Sequence, residues 1–147
     1  MLESSVKVSQ QRDLKLCAYE ELARKAFLEI CAEQAVPDDV AKDAWNLSER
    51  AIEVARQQGV RFEYPALKAF LSHMVGCVVR ARRGESVSDV GSAIEKEVGE
   101  SLINAVFSGL EPLYRRMGAV LTRPEAVLVA THIAASRNGG KQDGQEN

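Results

Sequence analysis

Apolar residues recur along this chain at intervals of three and four, and no stretch alternates long enough to suggest a strand. That period belongs to helices that bury one face. The first such stretch spans about 14–35, where Tyr19, Leu22, Ala26, Phe27, Ile30 and Cys31 make one stripe. Pro37 stops it and can open the next helix, because a proline at the first helical position sacrifices no hydrogen bond. Asp38 and Asp39 follow, where negative charge suits the helix dipole. The second stripe is Val40, Ala44, Leu47, Ala51 and Val54, closed by Gly59. A third helix opens at Pro65 with the stripe Leu67, Phe70, Leu71, Met74 and Val78. Arg80, Arg82 and Arg83 crowd its last turn before Gly84, a placement the dipole favours without any nucleic acid. Phosphate binding is the rival use of the same arginines.

The segment "SVSDVGSAIEKEVG" predicts a short fourth helix and "ESLINAVFSGLEPLYRRMG" a fifth. Gly109 and Pro112 lower helix propensity inside the fifth and predict a kink or break there. "TRPE" has the form of a capping box, with Thr122 at the cap and Glu125 three residues on. The last helix then spans about 123–137. The tail "NGGKQDGQEN" holds no apolar residue and is expected to be disordered. The pattern as a whole predicts an all-α bundle of five or six helices, and its short connections favour antiparallel neighbours.

Composition narrows the function. A chain of 147 residues is enough for one domain with a real core. Aromatics at 5% and a net charge of -2 argue against a nucleic-acid binder, and the charge argues against an anionic membrane surface. No apolar run reaches the roughly 18 residues of a membrane span, and the N-terminus has no signal-peptide pattern. Cys17, Cys31 and Cys77 are an odd set without a CxxC pair, which fits reduced thiols in a cytoplasm.

The candidate chemistry gathers on the histidines. There are two, and each interrupts an apolar helical run: His73 in "AFLSHMVGCVVRARRGE" and His132 in "AVLVATHIAAS". Phe70, Cys77 and Arg80 lie at -3, +4 and +7 from His73 and share its face. Leu128, Val129 and Ser136 flank His132. Each imidazole is expected to be half-buried, with one nitrogen held by a neighbour and the other exposed. Packing alone would account for either histidine. Beyond packing, His73 and Cys77 have the spacing of two metal ligands on one helix face, but no second such pair completes a site, so no metal is expected. A small helical enzyme would need His73, Cys77, Arg80 and His132 to line one cleft, and neither a nucleophile elbow nor a glycine-rich phosphate loop is present. A third reading is phosphorylation. A neutral imidazole near pH 7 is a competent nucleophile, and a nearby arginine can meet the added charge.

"LSHMVGCVVRARRGESV" resembles the first histidine motif of the PRD, the phosphotransferase-system regulation domain. In that motif a leucine, an acidic residue and a histidine precede several apolar positions, an arginine and a glycine-containing turn. "RPEAVLVATHIAAS" resembles the second motif, an acidic residue followed by an apolar stretch that ends in histidine. The 59-residue separation of His73 and His132 also suits one PRD. The resemblance covers roughly residues 37–137. It implies an antiparallel five-helix PRD-like bundle with an additional N-terminal helix. The domain organisation would be a flexible 1–13, the extra helix at 14–36, the PRD-like domain at 37–137 and a disordered tail at 138–147. It implies a cytoplasmic homodimer without cofactor or catalysis. His73 and His132 would be phosphoacceptors and Arg80 would support the phosphate. A phosphocarrier or a IIB component of the phosphotransferase system would be the donor. Regulators of this family usually carry two PRDs and an output domain. The resemblance here covers one PRD, and the 13 residues before the first predicted helix are expected to be too short for an output module. The chain therefore resembles small stand-alone PRD proteins, which would control transcription or transport through an effector partner. Where the family has aspartate just before the first histidine, this chain has Ser72. An interaction module that has lost phosphorylation is the alternative this substitution favours.

Overall fold

A computed structural model describes the backbone of residues 2–145 and the side chains of 18–137. Among the described residues there are six helices: α1 (Leu2–Glu33), α2 (Asp38–Gln57), α3 (Tyr64–Arg82), α4 (Ser92–Val98), α5 (Glu100–Arg116) and α6 (Arg123–Gln145). Among the described residues there is no strand, and no helix is long and apolar enough to cross a membrane. The first and last helices are longer than the apolar spacing predicts. The expectations of a flexible 1–13 and a disordered 138–147 fall on residues whose side chains lie outside those described.

The middle stripes are buried as the period requires. Val40, Ala44, Leu47, Ala51 and Val54 of α2 and Leu67, Phe70, Leu71, Met74 and Val78 of α3 all lie in the core. In α1 the stripe is rotated by one position. Ala23, Ala26, Phe27 and Ile30 are buried, whereas Leu22 remains 36% exposed. After α2, Gly59 adopts a positive φ of 76°, and the Val60 amide donates back to the Ala55 carbonyl at 2.9 Å. Glycine suits that left-handed turn because it carries no Cβ.

The predicted break in the fifth helix is not found: α5 runs unbroken through Gly109 and Pro112. Leu110 and Tyr114 are buried on either side of the proline, and such packing outweighs local propensity. Gly109 has a packing reason of its own. A Cβ there would lie 2.6 Å from Val54 Cγ2, so the missing side chain is what lets α5 approach α2 this closely.

α3 is the central element and packs against α1, α2 and α6. Polar ties hold α1 to it and to the turn before it. The Phe62 amide donates to the Tyr19 hydroxyl at 3.1 Å, Lys68 pairs with Glu33 at 2.9 Å, and the Tyr64 hydroxyl donates to Glu29 at 2.6 Å. Phe27 packs on Trp45 of α2 with ring centroids 5.2 Å apart. The core thus fixes α3 on several sides and leaves its register against α6 to be set by the residues between them.

Candidate functional site: a histidine pair on the α3–α6 seam

Two cross-helix contacts define that register. The rings of His73 and His132 face each other, with centroids 4.6 Å apart and planes inclined at 33°. Arg80 meets Glu125 through two bonds, Nε to Oε1 at 2.7 Å and Nη2 to Oε2 at 3.0 Å. Arg80 is seven residues after His73, and Glu125 is seven residues before His132. Seven residues are nearly two full turns, about 10 Å along a helix. Each helix therefore presents both groups on one face, and α3 and α6 run antiparallel. Phe70, one turn before His73, closes the end of the seam, its ring 5.9 Å from His132 and stacked on Phe62 at 4.5 Å.

The imidazoles are largely sheltered, and His73 Nε2 is buried without a hydrogen-bond partner among the described residues. The sequence expectation of one nitrogen held by a neighbour and the other exposed fails at that atom, which is neither bonded nor exposed. Burial first, then His132 and the Arg80 cation, hold His73 down at about 4, with the Glu125 carboxylate opposing. Burial also lowers His132. Both rings are therefore neutral near pH 7, and each keeps one ring nitrogen with a free lone pair.

The second contact is a buried ion pair. Glu125 is 3% exposed and Arg80 25%. The Cys77 thiol lies beside both, 3.7 Å from Glu125 Oε2 and 3.6 Å from Arg80 Nη2. Burial, reinforced by Glu125, pushes Cys77 up to about 12, so the thiol stays protonated. Tyr114 of α5 backs this cluster, its hydroxyl raised by burial and by Cys77. Among the described residues no group of three or more His, Cys, Asp or Glu side chains could hold a metal ion.

Several sequence readings change here. The capping box at 122–125 is half made. The Glu125 amide donates to Thr122 Oγ1 at 3.4 Å, but the Glu125 carboxylate turns to Arg80 instead of back to the cap. A guanidinium is the stronger partner for a buried carboxylate than a neutral amide. The arginines of the third helix do more than complement its dipole. Arg82 reaches Asp39 at 2.8 Å and Asp43 at 2.7 Å on α2, while Arg80 reaches α6. Ser72 faces the turn that follows α1, where it accepts a bond from Gln34 Nε2 at 2.8 Å.

The fold thus joins all three residues predicted for the site, His73, His132 and Arg80, on one seam. Sequence reading missed Glu125 as a member of it. The signal for Glu125 was present in the matching seven-residue spacings, which read in opposite directions on two antiparallel helices. Comparison with known proteins finds no matching family model, no matching curated protein and no matching solved structure.

Proposed function

We propose that the chain is a non-catalytic regulatory domain of the PRD type, in which the His73–His132 pair accepts a phosphoryl group from a phosphocarrier or IIB component of the sugar phosphotransferase system. On this reading α2 to α6 are the five-helix antiparallel bundle and α1 is the addition to it. The observation that carries the proposal is the ring-to-ring meeting of two histidines 59 positions apart in the sequence, both held neutral. A neutral imidazole can attack a phosphohistidine donor directly. Its unprotonated ring nitrogen forms the new N–P bond and the donor's N–P bond breaks; the departing donor nitrogen takes up a proton and leaves as neutral imidazole, while the acceptor's other ring nitrogen gives its proton to solvent. The phosphoryl charge then arrives in a seam built for neutral rings. It would bias the α3–α6 packing and the homodimer surface that follows from it, and an effector protein would read the change into transcription or transport.

A second reading keeps the fold as an interaction module without phosphorylation. The closed surroundings of His73 Nε2 and the turning of Ser72 toward Gln34 after α1 favour it. The test is phosphotransfer from labelled phosphoenolpyruvate through enzyme I and the phosphocarrier protein. His73→Ala and His132→Ala variants run alongside, with solution mass before and after. Acid-labile label lost in one variant identifies the acceptor. No label, with folded protein and donors active on a control, leaves the interaction module.

A further inference from the structure

We propose that Glu125 and Gly76 are positioning residues of the phosphoryl site: Glu125 clamps the Nε–Nη2 edge of Arg80, and Gly76 leaves the space through which the remaining Nη1 reaches the phosphoryl oxygens. This rests on the phosphoacceptor reading and adds to it how one arginine serves a buried carboxylate and an incoming anion together. Arg80 spends Nε and Nη2 on Glu125, and Nη2 also lies against Cys77. Among the described residues Nη1 donates no hydrogen bond, and the side chain keeps 25% of its surface open. Gly76 lies between His73 and Arg80 on α3, and a Cβ there would sit 3.3 Å from Nη1. The guanidinium is therefore folded back over Gly76 toward His73, the direction in which helical side chains lean. Its charge is close enough to His73 to lower that imidazole's basicity. Glu125, 3% exposed and tied at its amide to Thr122, gives the fork a fixed anchor.

The experiment uses the full chain and potassium phosphoramidate, a small phosphoryl donor that needs no carrier protein. A histidine nitrogen forms a bond to phosphorus, the phosphorus–nitrogen bond of the donor breaks, and ammonia leaves with the electron pair. Phosphohistidine is followed by phosphorus NMR in the unaltered protein and in Gly76→Ala and Glu125→Gln. Alanine is a better helix former than glycine, but its Cβ requires Arg80 Nη1 to give by a few tenths of an ångström, so the melting temperature of Gly76→Ala is recorded beside its labelling to show that the variant is folded. It should label about tenfold more slowly, the size of one lost charge-assisted hydrogen bond. A purely structural role predicts unchanged labelling in that variant. Glu125→Gln should also slow labelling, and because it can unfold the seam, Gly76→Ala carries the decision. Labelling of Gly76→Ala at the unaltered rate overturns the proposal. No phosphohistidine in the unaltered chain, with free imidazole labelled in parallel, overturns the phosphoacceptor reading itself.

Discussion

Acidification should weaken the fold through His73, by an amount the seam geometry sets. In the native state its imidazole is held at about 4, against an ordinary value of 6.5. The unfolded chain therefore binds a proton between these values while the native chain does not. Stability from this group is complete above about pH 6.5, falls as pH drops through that interval and levels off below about pH 4. At about 1.4 kcal/mol per pH unit, the interval corresponds to about 3 kcal/mol. His132 is lowered by burial too and adds a loss of the same sign. Carboxylates contribute at the acidic end, since Glu29, Glu53 and Glu100 are held below their ordinary range by Tyr64, Arg56 and Arg123. They are removed by comparison with His73→Phe, which keeps a flat ring against His132 but cannot titrate. Urea unfolding of both proteins at a series of pH values measures the difference. The gap between them should shift by about 3 kcal/mol in favour of the variant as pH falls from about 7 to about 4. Parallel curves would refute the claim that His73 is held neutral by its surroundings.

Gly109→Ala should destabilise the fold by about 1–3 kcal/mol, because the new methyl meets Val54 Cγ2. In urea unfolding, the double variant with Val54→Ala should lose less than the sum of the two single changes. Glu125→Ala should cost about 3–5 kcal/mol, since it strands the Arg80 charge in the seam. Gln34→Ala, which removes an exposed bond to Ser72, should stay within about 0.5 kcal/mol in the same assay. Cys77 should resist alkylation at mildly alkaline pH until the chain unfolds, because burial keeps it protonated. Peptide mapping after timed iodoacetamide treatment reads this directly.

Much of the fold could be read from the sequence because period and punctuation agree. The stripes of α2 and α3, with the prolines at 37 and 65 and the glycines at 59 and 84, fix both helices before any contact is known. The failures share a cause. Gly109 and Glu125 each obey a partner distant in sequence, and Leu22 shows which face of α1 the bundle takes. Gly109 answers to Val54, Leu22 yields its inward place to Ala23, and Glu125 leaves its cap for Arg80. Local propensity describes one helix at a time, whereas these residues record where a second helix lies. The histidines stood out because they are rare and sit in apolar runs. Their contact became visible only once α3 and α6 were antiparallel, with the seven-residue spacings aligned.

The most direct test of the account is to locate the phosphoryl group after transfer from phosphoenolpyruvate through enzyme I and the phosphocarrier. Peptides would be mapped by mass spectrometry under alkaline conditions that preserve phosphohistidine. The account predicts acid-labile phosphate on the peptide carrying His132 or the one carrying His73, lost when that histidine becomes alanine. An unmodified chain, alongside a control acceptor that is fully labelled, would contradict it.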